Sequence, residues 1–227
     1  MRSSRLDIIL FGVGQIAEVM AHYVQQDPAL NLVGFTVDRQ YLPPSGAFKG
    51  LPVAAWEDVS STFPPHLIRL LGPVSYRGNN TFRRDRHLEA RQKGYRFASY
   101  VHPSSHVSGA EIGENSVILE DCTVQPYARL GAGTILWSKV HIGHHAQIGD
   151  FCFFASFCGI AGNARVGDCT FFGGQTGLAD NRSVGSGCIV GAGTVLTEDV
   201  PDGALAVARG VRIVQNGARR FARTLLG

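Results

Sequence analysis

Large apolar residues recur at every sixth position through the second half of the chain, at Ile112, Ile118, Val124, Leu130, Leu136, Ile142, Ile148, Phe154, Ile160, Val166, Phe172, Leu178, Val184, Val190 and Leu196. No member of the series is polar. Four residues after each opener stands something small or β-branched, from Ser116, Cys122 and Ala128 through to Val200, with Arg182 as the one break. A period of six is neither the 3.6 of a helix nor the alternation of a plain strand, so each hexad is predicted to be a short strand followed by a turn. Short fixed repeats mean a solenoid whose rungs bury their apolar edge only against one another. In the expected rung the opener points inward and the small residue fits the corner. The glycine that often follows the opener, as at Gly113, Gly131 and Gly143, is expected to supply unusual dihedrals.

Both registers closely resemble the hexapeptide repeat of the left-handed β-helix, in which three hexads make one triangular coil. Fifteen hexads then imply five coils. The handedness comes from the resemblance, because crossovers between parallel strands are otherwise right-handed. Residues 100–227 are thus expected to form an all-β left-handed parallel β-helix with a C-terminal tail. Residues 1–99 read differently. Leu6–Phe11 is a buried strand, Gly12, Gly14 and Gln15 open a helix, residues 31–37 form a second strand ending at Asp38, residues 67–71 a third, and 80–93 a polar helix. This is a truncated Rossmann-like βαβ unit of α/β class. It is too short for both halves of a dinucleotide fold, which argues against a hydride-transferring dehydrogenase. One phosphate-cradling turn suits a mononucleotide, such as the nucleotide end of an activated sugar.

A formal charge of +3 gives no case for a nucleic-acid surface. Arg83, Arg84, Arg86 and Arg91 read as a solvated helix face shared with Asp85 and Glu89. Of the five cysteines, Cys122, Cys152, Cys158 and Cys188 take the small place of a hexad and no CxxC occurs, so they are expected to be buried thiols in a reducing cytoplasm. The apolar run after the basic start is broken at Gly12 and Gly14, so neither a signal peptide nor membrane insertion is expected.

Three of the eight histidines, His141, His144 and His145, fall within five residues around the opener Ile142. His144 and His145 follow that opener at the corner, outside the prism. One coil is eighteen residues, so Pro126 and Gly162 flank His144, while Tyr127 and Asn163 flank His145. Gly162 is expected to leave an open slot beside the His144 imidazole. A neutral imidazole suits proton abstraction from an attacking amine or hydroxyl, and a backbone N–H near Gly162 is a candidate donor to the oxyanion of acyl transfer.

A glycine-turn nucleotide unit followed by a hexapeptide solenoid with this histidine pair before Ile148-Gly149-Asp150 resembles the bacterial sugar acyltransferases. These include acetyl-CoA-dependent N-acetyltransferases of nucleotide-linked 4-amino sugars, which serve cell-surface polysaccharide synthesis, and sialic acid O-acetyltransferases. The resemblance implies that His144 is the general base. Members commonly place a carboxylate beside it; here Gly143 and His145 are its neighbours, so His145 or a carboxylate of another chain takes that part. It further implies a homotrimer, with acetyl-CoA in a groove between subunits touching Phe153, Gly162, Gly174 and Ala192. The nucleotide-linked sugar is implied to sit on Gly12, Gly14, Gln15 and Asp38, and Arg209 to meet a coenzyme phosphate, although the proline usual near it is missing. No metal is expected. The competing readings are an O-acetyltransferase, a zinc enzyme like the γ-carbonic anhydrases using His141 and His145, and a nucleotide-sugar-binding protein without turnover.

Overall fold

The computed structural model describes residues 5–208 and 210. Arg209 and residues 1–4 lie outside the described residues. The N-terminal unit runs β1 (Leu6–Phe11), α1 (Gln15–Gln26), β2 (Leu30–Val37), β3 (Ala47–Phe48), β4 (Leu51–Ala55), α2 (Val59–Thr62), β5 (Arg69–Leu71), α3 (Thr81–Gln92) and β6 (Arg96–Phe97). The sheet order is β3-β4-β2-β1-β5-β6, parallel except for the β3–β4 pair. Central β1 is covered on both faces, which is why Ile8, Ile9 and Leu10 form an unbroken apolar run. α1 turns Ala17, Met20, Ala21 and Val24 onto the sheet at helical spacing.

From Tyr100 onward the chain coils through three parallel sheets. The first face stacks Tyr100–Val101, Val117–Ile118, Ile135–Leu136, Phe153–Phe154, Phe171–Phe172, Ile189–Val190 and Leu205–Ala206. A second stacks His106–Val107, Thr123–Val124, His141–Ile142, Gly159–Ile160, Gly177–Leu178 and Val195–Leu196, and a third runs from Glu111–Ile112 to Ser183–Val184. Each opener lies inside one continuous core with the small residues of the hexads. The coil is longer than the fifteen hexads imply. Val101 and Val107 start it early, but the step from Val107 to Ile112 is one residue short and breaks the period. At the other end Val200 is not a small corner residue. It bridges the opener Val184, so the last coil is tightened.

The glycines after the openers serve clearance rather than unusual dihedrals. The left-handed backbone falls three residues after each opener from Ile112 to Val190, at Asn115, Asp121, Tyr127, Lys139, His145 and onward, mostly in non-glycine residues. At Gly143, by contrast, a Cβ would stand 2.6 Å from the carbonyl carbon of Ala161 on the next coil. The bare position lets the corners stack.

The outward side chains of the first face, Val117, Ile135 and Phe153, join the core that holds Ile8, Leu10 and Met20 of the N-terminal unit. α3 then ties the two together, which corrects the reading of its arginines. Arg83 is 2 % exposed and donates to the carbonyls of Gly133, Phe151 (2.7 Å) and Cys152 (3.3 Å). Asn80 and Asn79 donate to the carbonyls of Cys169 and Gly187 on the coils beyond. These oxygens belong to the corner between the third and first faces, where the left-handed turn aims them outward. Arg86 is half-buried as well. Arg84 and Arg91 remain on the exposed side, paired with Asp85 and Glu114.

Candidate active site

His144 and His145 stand exposed at the corner between the second and third faces, opposite the face that carries the N-terminal unit. The coils on either side pin their backbone. The His144 N–H donates to Gln125 Oε1 at 2.9 Å, its carbonyl accepts from the Asn163 N–H at 2.9 Å, and the His145 N–H reaches the Pro126 carbonyl. His145 occupies the left-handed corner position, with φ 59°. This throws its ring sideways, onto Tyr127 (centroids 4.8 Å apart) and toward its neighbour. The two Nδ1 atoms are 3.1 Å apart, so one donates and the other accepts.

The slot at Gly162 is not open. A Cβ there would lie 2.7 Å from both Cε1 and Nε2 of His144, because the imidazole itself fills the space that the glycine leaves. Nor is the Gly162 N–H free for an oxyanion, since it donates to Asp180 Oδ1 at 3.0 Å. Asp180 is a functional candidate that the sequence reading passed over. Its signal was present in the register, two coils beyond His144 on the same corner.

The other sites fall elsewhere. Gly174 and Ala192 stack one coil apart on the corner between the first and second faces, above Ser156. Phe153 is buried on the first face, where its ring meets Tyr76, Trp137 and Phe171. Of the four residues implied for the coenzyme, Gly162 stands apart on the other corner, while Phe153 lines the apolar pocket that reaches Ser156 beneath Gly174 and Ala192.

At the N-terminal unit, Gly12, Gly14, Gln15 and Asp38 do converge, lining a pocket of about 370 Å³ with Tyr41, Pro73, Ser75, Arg77 and Phe82. Gly12 has φ +121°, a conformation that favours glycine, and its N–H donates to the Thr36 carbonyl, so the chain leaves β1 sharply. Gly14 then caps α1, whose free N–H groups face the pocket as an anion site does. The Asp38 carboxylate is engaged. Arg86 Nη2 donates to it at 2.6 Å, and the guanidinium sits among Phe11, Trp56 and Phe82. Arg77, lying 5.0 Å over Phe82, is a cation in the lining of this pocket and was missed, since nothing in its loop repeats. A second, more apolar pocket of about 310 Å³ continues from Ile16 and Val74 across Tyr76, Trp137 and Phe171 to Ser156.

Among the described residues no three histidine, cysteine or carboxylate side chains converge as metal ligands, and no helix is long and apolar enough to cross a membrane. All five cysteines are free and buried, Cys169 included.

A family model described as the GlmU-like C-terminal hexapeptide matches residues 84–170. No curated protein sequence matches the chain. Among solved structures, the chain is similar to the acetyltransferase domain of PglB from Neisseria gonorrhoeae in complex with acetyl coenzyme A, with 24% identity and a TM-score of 0.80 over 93% of this chain and 100% of that one. A variant of perosamine N-acetyltransferase from Caulobacter crescentus, in complex with CoA and GDP-perosamine, gives 22% identity and a TM-score of 0.80 over 92% and 96%. WeeI from Acinetobacter baumannii gives 22% and 0.73 over 92% and 100%. The fold is therefore a hexapeptide β-helix behind a short α/β unit, as the hexad register and the first hundred residues implied.

Proposed function

We propose that the protein is an acyl-CoA-dependent acyltransferase, using acetyl-CoA, that acylates the amino group of a nucleotide-linked sugar with His144 as general base. The observation that carries this reading is the geometry of His144. Its backbone is held by both neighbouring coils, its Nδ1 meets a hydrogen-bonding partner, and its Nε2 lies over the bare Gly162 on the next coil. Such an imidazole takes a proton from an attacking amine as the tetrahedral intermediate forms. The glycine turn, the N-terminus of α1 and Arg77 suit the diphosphate of a nucleotide sugar, while Asp38, held by Arg86, borders the same pocket.

Supporting the substrate class, the similar structures from Neisseria and Caulobacter hold acetyl coenzyme A, and CoA with GDP-perosamine. The reading includes a homotrimer, which the placement of the parts supports. The nucleotide pocket lies in the N-terminal unit, which packs on the first face, and His144 stands at the opposite corner, an arrangement that suits a substrate in the pocket meeting the histidine of a neighbouring subunit. The second face, whose outward residues Gly159 and Gly177 are bare, leaves room for that neighbour. The coenzyme would lie along the Ser156, Gly174 and Ala192 corner.

The test is product mass spectrometry with acetyl-CoA and a panel of nucleotide-linked amino and hydroxy sugars. N-acetylated product from an amino sugar is expected. Acetylation confined to hydroxyl acceptors, or no transfer with any of them, contradicts the reading.

A further inference from the structure

One column of the first face changes size abruptly. The residue after each opener there is Leu119, Trp137, Ala155, Gly173 and Gly191, stacked in register from coil to coil. Leu119 is buried in the core shared with the N-terminal unit, Trp137 is half-buried, and above Trp137 the column carries a methyl and then no side chain. The indole is braced, since it stacks on Phe153 with centroids 6.0 Å apart and Phe153 stacks on Phe171 at 5.5 Å. The coil residues that line the apolar pocket of about 310 Å³ are Trp137, Phe153, Ala155, Ser156 and Phe171. Trp137 is the lowest of them, so along the stack the pocket ends at the indole.

The next column is the corner of Ser138, Ser156, Gly174 and Ala192, where the coenzyme reading puts its arm. Height along the stack ties this lane to the base. Paired rungs are eighteen residues and about 4.8 Å apart, so His144 stands about 2 Å above Trp137 and about 3 Å below Ser156. In a trimer whose axis runs along the stack, rotation keeps that height, and a neighbouring subunit presents its His144 between the levels of Trp137 and Ser156. The thioester carbonyl has to lie there too. Its coenzyme arm then leaves toward the bare upper coils, and its acyl group points down at Trp137.

We propose that Trp137 sets the length of the acyl group: the indole closes the lane just past the carbonyl, so acetyl is transferred and longer chains are turned away. This rests on the acyltransferase reading and its trimer, and deepens them by naming the residue that selects the donor. In the transfer the amine nitrogen bonds the thioester carbonyl carbon, the C–S bond breaks, and the amine proton passes by way of His144 to the departing thiolate. Each further methylene on the acyl group has to enter space that the indole fills, and one misplaced methylene changes kcat/KM by about 10–200-fold.

The experiment compares wild type with Trp137→Leu and Trp137→Ala, using acetyl-, propanoyl-, butanoyl- and hexanoyl-CoA with one nucleotide-linked amino sugar. It reads kcat/KM by thiol release, and the binding of each acyl-CoA by calorimetry. The ratio for two donors in one protein does not depend on how much of that protein is folded. Wild type is expected to favour acetyl- over butanoyl-CoA by at least about 100-fold, and that ratio is expected to fall at least about tenfold in Trp137→Leu and further in Trp137→Ala. Hexanoyl-CoA is expected to bind wild type at least about tenfold more weakly than acetyl-CoA, and Trp137→Ala within about twofold of it. Equal use of acetyl- and butanoyl-CoA by wild type, equal binding of acetyl- and hexanoyl-CoA by wild type, or a donor ratio unmoved in both variants would each overturn the proposal. A raised sugar KM with that ratio unmoved would give Trp137 to the acceptor instead. Because binding needs no turnover, a wild type inactive with every donor would fall on the acyltransferase reading, while the binding ratios still decide this one.

Discussion

Replacing Gly162 with alanine separates activity from stability at one atom. The backbone at Gly162 is not left-handed, so alanine fits the chain there and by itself stabilises the fold by about 0.4–1 kcal/mol through the unfolded state. The new methyl, however, stands 2.7 Å from Cε1 and Nε2 of His144 and 3.2 Å from Asp180 Oδ1. Ordinary carbon contacts lie near 3.5–4.0 Å, so the imidazole has to retreat by about 1 Å. Such a displacement of a catalytic group costs on the order of 100-fold in rate. Thiol release from acetyl-CoA with the accepted sugar should therefore fall about 100-fold while the melting temperature stays within a few degrees of wild type. Alanine at Gly143 should do the reverse to stability, because its methyl meets immovable backbone of Ala161 at 2.6 Å, and the fold should lose about 1–3 kcal/mol. Full turnover in Gly162→Ala would refute the placement of the His144 ring.

Arg83→Ala removes the buried donor that ties α3 to the carbonyls of Gly133, Phe151 and Cys152; burial holds its pKa near about 10, so it is still cationic at neutral pH, and the loss should cost about 3 kcal/mol, seen by calorimetry as a fall in melting temperature of roughly 6–12 °C. His87 stacks on Phe97 at 4.0 Å, and burial holds its pKa below the usual value against the pull of Glu114. The folded state then binds fewer protons than the unfolded one, so denaturant midpoints should fall as pH drops below about 6.5, and less so in a His87→Gln variant. Burial pushes the Cys122 thiol up to about 11 and Cys152 to about 12, so a thiol reagent at pH 8 should leave both unmodified until denaturant is added.

Much of this was legible from the hexads. The opener at Ile142 was enough to put His144 and His145 outside the prism, because rung position dictates side-chain direction. What the register could not convey was how far a side chain leans along the stack. An eighteen-residue step set Gly162 beside His144 and suggested a gap, yet the ring leans into it; two steps would have reached Asp180. Irregular coils hid the ends, where the short step after Val107 and the tightened corner at Val200 broke the count. The arginines of α3 misled for a different reason. Their spacing with Asp85 and Glu89 is that of a solvated face, whereas the carbonyls that receive Arg83 come from coils about fifty to seventy residues on, and backbone oxygens leave no trace in a sequence. In the glycine turn the local pattern sufficed, since strand, turn and helix are contiguous.

Thiol release from acetyl-CoA by wild type and His144→Ala, measured with the same nucleotide-linked amino sugar and with both proteins shown to have the same oligomeric mass, tests the central claim most directly. Turnover by wild type and its loss by at least about 100-fold in His144→Ala is the predicted result. Equal turnover by the two proteins would contradict it.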